Sequence, residues 1–396
     1  MKKRNLILTH MACLAFIISV SASCSVEGKT GTEKPEEVSQ TVAVSDNTKT
    51  TGRKIRIALL LDTSNSMDGL IEQAKSQLWS IVNELAAAGY QDGRPSLEIA
   101  LYEYGNSRLS QSSGYIRQVL PFNEDLDDLS EKLFELRTSG GDEYCGYVIK
   151  TSLTQLTWSG NQDDLQMIFI AGNEPFNQGE IPFRESCLEA KGKGITVNTI
   201  FCGDYQNGIH TFWKEGADLT GGNYMNIDHN RKTVFIQSPY DQQINQLNSS
   251  LNQTYVGYGR SGELKKEKQL AEDSKASSYS EANSVKRAVS KSSHLYKNSS
   301  WDLVDASEEK DFDLSKINDE ELPQEMKGKN IEEKKKYIES KKQEREKIKS
   351  DIKELNNKRE AYVKEQQKNT SEGSLDDAMI KSIKEQAVKK NLSFEK

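Results

Sequence analysis

The stretch Asp62-Thr63-Ser64-Asn65-Ser66 places a carboxylate and two serine hydroxyl groups at every second position, on Asp62, Ser64 and Ser66. The apolar run before them, "RIALLL", predicts a strand buried on both faces, with Asp62 at its carboxyl end. Alternate residues of an extended turn point the same way, so Asp62, Ser64 and Ser66 could direct a carboxylate and two hydroxyl groups at one point. Such ligands suit a hard divalent cation such as Mg²⁺ or Mn²⁺. A polar turn that only opens a helix is the alternative, because serine and aspartate are common N-caps.

The elements that would position this loop alternate between strands and helices. The strand-like runs are "IRIALLLD", "SLEIALYEYG", "YIRQVLPF", "LQMIFIAG" and "GITVNTIFCG", and segments with helical periodicity separate most of them. This order predicts an α/β fold over residues 54–257, with a doubly wound, mostly parallel sheet. Ligands of such sheets bind outside the carboxyl ends of the strands, where Asp62 would lie.

The stretch "LLLDTSNSM" resembles the first metal loop of the von Willebrand factor A (VWA) domain family, whose pattern is Asp-x-Ser-x-Ser. The turn Gly140-Gly141 and the loop "IAGNEPF" resemble the second and third loops more weakly. In that family the three loops form a metal-ion-dependent adhesion site, and a protein partner completes the coordination of the metal with a carboxylate. The resemblance therefore implies a protein-binding module, for adhesion or as an envelope scaffold, that uses Mg²⁺ or Mn²⁺ without catalysing a reaction.

The second and third loops depart from the pattern of the family. This chain has Asp142 and Glu143 where the family has a threonine near the two glycines, and Gly172 where the family has an aspartate. A rearranged site could use Asp142 or Glu143 as a ligand, with Asn173 or Glu174 contributing through water. A vestigial site is the alternative, and the same face would then be a metal-independent scaffold.

Few features of the sequence indicate an enzyme. Its four histidines have no metal-binding spacing, and neither a G-x-S-x-G elbow nor a P-loop is present. A Mg²⁺-dependent hydrolase on the same fold would need a general base near the metal, for which Glu143 and Glu174 are the candidates. We expect a binding protein, with the hydrolase as the alternative. The formal net charge of −7 provides no basic excess for binding nucleic acid.

Residues 1–24 resemble a bacterial lipoprotein signal. Positively charged residues precede a short, mostly apolar segment that ends in "VSASC", and Cys24 would carry the lipid. An ordinary secretory signal, cleaved nearby, is the alternative. Residues 25–53 are polar and predict a flexible tether. We therefore expect a protein of the bacterial cell envelope that is lipid-anchored to a membrane, on its periplasmic side or at the cell surface.

Cys145, Cys187 and Cys202 remain in the predicted folded part of the chain. Exported proteins can form disulfides, and the expected topology places Cys145 and Cys187 near the same rim of the sheet. These two could pair, while three reduced, buried thiols fit the sequence equally well.

Residues 258–329 read as a polar connector with a small apolar cluster that includes Tyr296 and Trp301. Residues 330–396 predict a charged α-helical arm for protein contact. Its long helix has apolar residues on two seven-residue registers that Arg345 and Arg359 interrupt, which indicates a weak coiled coil or a hairpin. A second helix in "SLDDAMIKSIKEQAVKK" could fold back on the first. We expect the α/β domain to fold without the residues from Ser261 onwards.

Overall fold

A computed structural model describes residues 50–366 and 374–394 of the chain. The signal segment, Cys24 and nearly all of the tether lie outside the described residues. Within them, no helix has the length and hydropathy that a membrane crossing requires.

One six-stranded sheet organises the α/β part of the chain. The strands of the described residues are β1 (Thr50–Asp62), β2 (Ala88–Gly89), β3 (Arg94–Tyr104), β4 (Ile116–Asn123), β5 (Leu165–Gly172), β6 (Thr196–Cys202), β7 (Tyr224–Ile227) and β8 (Ser393–Phe394). The sheet has the order β4-β3-β1-β5-β6-β7, and every neighbouring pair is parallel except β3–β4. The short strand β2 is not part of this sheet and pairs with β8. When β2 is left out of the numbering, the order of the six strands is that of doubly wound folds. The predicted fold class is confirmed.

Helices cover both faces of this sheet. They are α1 (Asp68–Ala86), α2 (Leu126–Glu135), α3 (Cys145–Gln155), α4 (Phe183–Gly192), α5 (Tyr205–His210), α6 (Trp213–Asp218), α7 (Asp241–Asn252), α8 (Gly262–Tyr279), α9 (Glu281–Ser292), α10 (Leu303–Ala306), α11 (Ile331–Gln366) and α12 (Leu375–Val388). Successive residues of a strand face opposite sides. In β1, Ile57 and Leu59 pack under α1, α2, α9 and α12, while Ala58 and Leu60 pack under α3, α4 and α6. The continuous apolar run of β1 follows from this double burial.

The C-terminal helix that the sequence predicts is present as α11, and the C-terminal residues pack against the rest of the chain. Helix α7 packs against α9 and α11, and α12 covers the part of the sheet beside α1. Leu375, Met379 and Ile383 of α12 belong to the same core cluster as Ile57 and Leu59. Helix α12 therefore supplies part of the core of the α/β unit instead of folding back on α11. The apolar side of α12 is buried because it packs on the apolar surface of the sheet beside α1.

The long helix α11 packs against other helices of the same chain. Its buried stripe includes Arg345 and Arg359, the residues that interrupt the predicted seam. One Nη of Arg345 donates to carboxylate oxygens of Asp302 and Asp305 at 2.7 Å each, and Nε of Arg359 donates to Asp241 at 2.9 Å. The arginines are thus the polar part of an intramolecular seam, and this seam takes the place of the expected coiled coil.

The connector also docks on the chain itself. Tyr296 and Trp301 are buried, and the ring of Trp301 stacks on that of Tyr255 with centroids 5.7 Å apart. Arg287 of α9 is fully buried over the ring of Trp79 in α1, and it donates to Asp127 of α2 at 2.8 Å. Residues after α7 are therefore tied to helices α1 and α2 by cation–π and ionic contacts.

Candidate functional site

Asp62 ends the central strand β1, between β3 and β5, at the carboxyl edge of the sheet. Its side chain is fully buried. Because parallel strands end at the same edge, the loops after β1, β3 and β5 surround it, together with the segment that leads into α3. The first loop and the predicted second and third loops therefore meet at this edge.

The first loop turns directly into α1. The backbone N–H of Ser64 donates to Oδ1 of Asp62 at 2.7 Å, and the hydroxyl oxygens of Ser64 and Ser66 are 3.1 Å apart. Ser64 stands at the N-cap position of a 3-10 turn, yet its hydroxyl makes no capping hydrogen bond. The hydroxyl groups of Ser64 and Ser66 thus face each other beside Asp62, which is the arrangement that the every-second-residue spacing predicts.

Of the two acidic residues in the second loop, the structure brings Glu143 to Asp62. Glu143 is 4% exposed, and its carboxyl group lies within hydrogen-bonding distance of the Asp62 carboxyl group when one of them carries a proton. Asp142 is exposed and instead accepts a hydrogen bond from the Tyr144 hydroxyl at 3.1 Å. Glu143 is therefore the second-loop carboxylate of the candidate site, and Asp142 belongs to its rim.

The two neighbouring carboxyl groups perturb each other. Burial raises the pKa of Asp62 to about 6. Burial, followed by the hydrogen bond and the charge of Asp62, raises the pKa of Glu143 to about 10. Without a cation, Glu143 consequently holds a proton at neutral pH. Oδ2 of Asp62 is buried and, apart from the protonated Glu143, has no hydrogen-bond donor among the described residues.

The third loop places its two polar residues differently. The Ser66 hydroxyl donates to Oδ1 of Asn173 at 3.4 Å, so Asn173 reaches the first loop. Glu174 is exposed and accepts a hydrogen bond from Gln178 at 3.2 Å. Its charge makes a small contribution to the raised pKa values of Asp62 and Glu143. Asn173 therefore lies inside the site and Glu174 at its rim.

The departure at Gly172 has a steric cause. A Cβ atom built on Gly172 would lie 2.5 Å from the hydroxyl oxygen of Tyr104 and 3.1 Å from Oδ2 of Asp62. Tyr104 is fully buried, and its hydroxyl donates to the carbonyl oxygen of Ala171 at 3.0 Å. The structure thus has no room for the aspartate that the VWA family carries at this position.

Tyr104 and Gly105 are site residues that the sequence analysis missed. Gly105 has a φ of +75°, and a Cβ atom there would lie 2.8 Å from Oδ1 of Asp62 and 2.8 Å from Cγ of Glu143. Only glycine allows the backbone to pass this close to both carboxyl groups. A glycine directly after the strand "LEIALYEY" was the available signal, since that strand neighbours β1 in the doubly wound order.

The cysteines are free, buried thiols. No disulfide joins Cys145 to Cys187, and Cys202 is also reduced. The Cys145 sulfur lies 3.9 Å from the hydroxyl oxygen of Tyr104, inside the core beneath the site. Burial raises the pKa of Cys187 to about 12, which favours the thiol over the thiolate. The structure has Cys145, Cys187 and Cys202 as free thiols, which is one of the two alternatives that the sequence left open.

The donor set at Asp62 suits a hard cation. Across residues 50–366 and 374–394, no group of three or more His, Cys, Asp or Glu side chains is arranged to hold a metal ion. The candidate site instead combines the carboxylates of Asp62 and Glu143 with the hydroxyl groups of Ser64 and Ser66, all of them oxygen donors. The buried carboxyl groups of Asp62 and Glu143 are the feature that a cation would satisfy in place of the proton on Glu143.

Neither a scan against models of protein families nor a search of curated proteins gives a match. Among solved structures, the chain is similar to the protein BatB from Bacteroides thetaiotaomicron, with 17% identity over 44% of this chain and 90% of that one, and a TM-score of 0.34. It is similar to the SpRpn10 VWA domain, with 14% identity over 44% and 88% of the two chains and a TM-score of 0.34. A third structure is an aerotolerance-related membrane protein from Bacteroides fragilis, with 16% identity, coverage of 44% and 93%, and a TM-score of 0.31. Likeness at this level carries no information about partner or activity.

Proposed function

We propose that this chain is an exported, membrane-anchored module that binds a protein partner at the carboxyl edge of its sheet, by means of a divalent cation. Asp62, Glu143, Ser64 and Ser66 would hold Mg²⁺ or Mn²⁺, with Asn173 contributing through water and Glu174 at the rim. The cation would supply a coordination position for an oxygen of the partner, for which the VWA resemblance implies a carboxylate. We expect binding without catalysis.

The observation that carries the proposal is the meeting of Asp62 and Glu143. The carboxyl groups of Asp62 and Glu143 come from different loops and lie together in a buried place. Burying like charges side by side is costly unless a cation or a proton neutralises them. A divalent cation would neutralise both carboxylates and would also engage the two adjacent hydroxyl groups.

A metal-independent scaffold with a vestigial site is the second candidate, and a specific observation favours it. The pKa of Glu143 is raised to about 10, so a proton on Glu143 can replace the cation at neutral pH. The same edge would then bind its partner through ordinary polar and apolar contacts.

Thermal unfolding of the full chain with Mg²⁺, with Mn²⁺ and with a chelator distinguishes the two candidates. A bound cation stabilises the fold by about 2.7 kcal/mol when its concentration is 100 times Kd. Asp62→Ala removes a direct carboxylate and should abolish the effect, whereas Asp142→Ala, at the exposed neighbour of Glu143, should retain it. If the unfolding of the wild-type protein is the same in cation and in chelator, the metal proposal is wrong.

A pull-down from intact envelopes, with and without chelator, tests the partner. Protein captured by the wild type but not by Asp62→Ala, and released by the chelator, supports cation-dependent binding. Equal capture by both forms and in both conditions would favour the metal-independent scaffold.

The anchor requires its own experiment, because Cys24 lies outside the described residues. Cys24→Ser should move the protein from the membrane fraction to the soluble fraction, since a polar tether alone gives no membrane affinity. If the variant remains in the membrane fraction, the lipid anchor is not at Cys24.

A further inference from the structure

Asn106 is a buried polar residue in the loop that follows β3. It comes directly after Gly105, whose backbone passes close to Asp62 and Glu143, and its exposed fraction is 3%. Burial of an amide group is costly unless its polar atoms are hydrogen-bonded. The partners of Asn106 therefore indicate what this side chain holds in place.

The amide of Asn106 joins three loops at the carboxyl edge of the sheet. Nδ2 donates to the carbonyl oxygen of Arg137, which precedes the two glycines of the second loop, at 2.8 Å. It also donates to Oγ1 of Thr63 in the first loop at 3.3 Å, while Oδ1 accepts from the backbone N–H of Arg108 at 3.1 Å. A carbonyl oxygen on one side and an N–H on the other determine the orientation of the amide. Both polar atoms of the side chain are thus used within these loops.

The second loop has no regular structure that would determine its path. Residues 136–144, all of which the structure describes, form neither helix nor strand between α2 and α3. They include Gly140 and Gly141, and glycine has more backbone freedom than any other residue. The path that brings Glu143 to Asp62 therefore depends on contacts with the neighbouring loops.

These contacts hold the second loop on two sides. The backbone N–H of Ser139 donates to the carbonyl oxygen of Thr63 at 2.9 Å, and the N–H of Ser107 donates to the carbonyl oxygen of Ser139 at 3.3 Å. A Cβ atom on Gly141 would lie 2.7 Å from the carbonyl oxygen of Gly105, so the two backbones are in direct contact. The segment 139–141 thus runs between the first loop and the loop after β3.

Asn106 is bonded to both partners of this arrangement. Its amide holds the carbonyl oxygen of Arg137, just before the enclosed segment, and the side chain of Thr63, whose backbone accepts the bond from Ser139. Without the amide, the Arg137 carbonyl oxygen would lose its donor. A water molecule could replace that donor only if the loop moved outward, and leaving the oxygen without a partner is costly.

We propose that Asn106 is a positioning residue of the candidate cation site, which holds the second loop so that the carboxyl group of Glu143 meets that of Asp62. It acts through the loop, because its hydrogen bonds go to Arg137, Thr63 and Arg108. The consequence for cation affinity rests on the proposed function, whereas the placement of the loop can be measured without a cation.

Amide hydrogen exchange of the full chain in chelator tests the placement of the loop. Asn106→Ala should accelerate exchange at the Ser139 amide about tenfold or more, because the loop then opens locally without global unfolding. Asn106→Ser is a milder variant: its hydroxyl can still accept from the N–H two residues on, but it is too short for the Arg137 carbonyl. It should accelerate exchange at Ser139 as well.

Ser107→Ala is the matched control for exchange. The hydroxyl oxygens of Ser107 and Ser139 are 3.0 Å apart in an exposed contact that joins the same two loops. Exposed polar contacts contribute little, so this substitution should leave exchange at the Ser139 amide unchanged.

Titration with Mn²⁺ tests the consequence for the site. Both substitutions at Asn106 should weaken Mn²⁺ binding about tenfold or more, as expected when a residue that orients metal ligands is removed. Ile383→Ala in α12, a buried position far along the chain, controls for general loss of stability. It should lower the thermal midpoint and leave Mn²⁺ affinity unchanged, whereas a purely structural Asn106 would behave in the same way as Ile383.

Unchanged exchange at Ser139 in both Asn106 variants overturns the proposal, and so does wild-type affinity for Mn²⁺ in both. Failure of both variants to fold also overturns it, because Asn106 would then be a residue of the core and not of the site. The outcome is separate from that of the cation site itself. If the wild type binds no Mn²⁺ but both variants exchange faster, Asn106 positions the loop and the proposed cation site is wrong.

Discussion

The hydroxyl group of Tyr104 occupies the space that a side chain on Gly172 would need. A Cβ atom on Gly172 would lie 2.5 Å from that hydroxyl oxygen, well inside normal contact distance. The same hydroxyl group donates to the carbonyl oxygen of Ala171, which keeps the tyrosine in place. This contact leaves no room for a side chain at position 172, and the carboxylate that lies beside Asp62 is that of Glu143.

We therefore expect Gly172→Ala to destabilise the protein by about 1–3 kcal/mol, the usual cost of an overfilled core. Gly160→Ala is the control, because nothing lies within 4 Å of a Cβ atom there. In a Tyr104→Phe background the cost of Gly172→Ala should be smaller, which a double-mutant cycle of chemical unfolding measures. Equal costs in both backgrounds would show that the two residues do not compete for the same space.

The second prediction concerns pH. The unfolded chain releases the Glu143 proton near pH 4.5, whereas the folded protein holds it up to about pH 10, because burial and Asp62 raise the pKa. In chelator, this group should make stability fall as pH rises across that window, since folding then requires uptake of a proton. Glu143→Gln keeps the shape of the protonated acid and should remove this slope above about pH 6, the pKa to which burial raises Asp62, while Asp142→Asn should retain it.

Thermal melts between pH 5 and pH 9 measure this slope. Added Mg²⁺ should reduce it in the wild type, because a cation binds the deprotonated carboxylates and its affinity rises with pH. The same slope for wild type and Glu143→Gln in chelator would mean that Glu143 is not protonated in the folded protein.

The third prediction concerns the seam of α11. Arg345 is buried between Asp302, Asp305 and Thr254, so Arg345→Ala would leave buried carboxylates without a cation. Removing one partner of a buried ion pair costs about 3–5 kcal/mol. Lys358→Ala, which breaks an exposed pair with Glu354 on the same helix, should change the free energy of unfolding little or not at all. Similar effects of the two substitutions in urea unfolding would contradict the buried seam.

The fourth prediction concerns α12. Ile383 is 1% exposed in the core beside the sheet, and Val388 on the same helix is 72% exposed. Ile383→Ala should destabilise the whole α/β unit by about 2–5 kcal/mol, whereas Val388→Ala should have almost no effect. Deletion of residues 261–396 should abolish cooperative unfolding, in contrast to the sequence-based expectation that the domain folds without them. Cooperative unfolding of the truncated chain would mean that α12 is not part of the core.

The sequence by itself determined the features that depend on neighbouring residues. The apolar run into Asp62 forms a strand because both of its faces are buried, and alternation of strands with helices specifies a doubly wound sheet. Asp62, Ser64 and Ser66 lie within five positions, so local backbone geometry alone was enough to bring their oxygen atoms together.

The tertiary structure decided everything that depends on residues far apart in the chain. Asp142 and Glu143 are adjacent, and only the path of a loop without periodicity determines that Glu143 turns inward to Asp62. Arg345 interrupts an apolar register in the sequence, but Asp302 and Asp305 make it a buried residue. Helix α12 joins the core because a patch of sheet beside α1 must be covered, and hydrophobic burial specifies an apolar surface without specifying which distant segment will cover it.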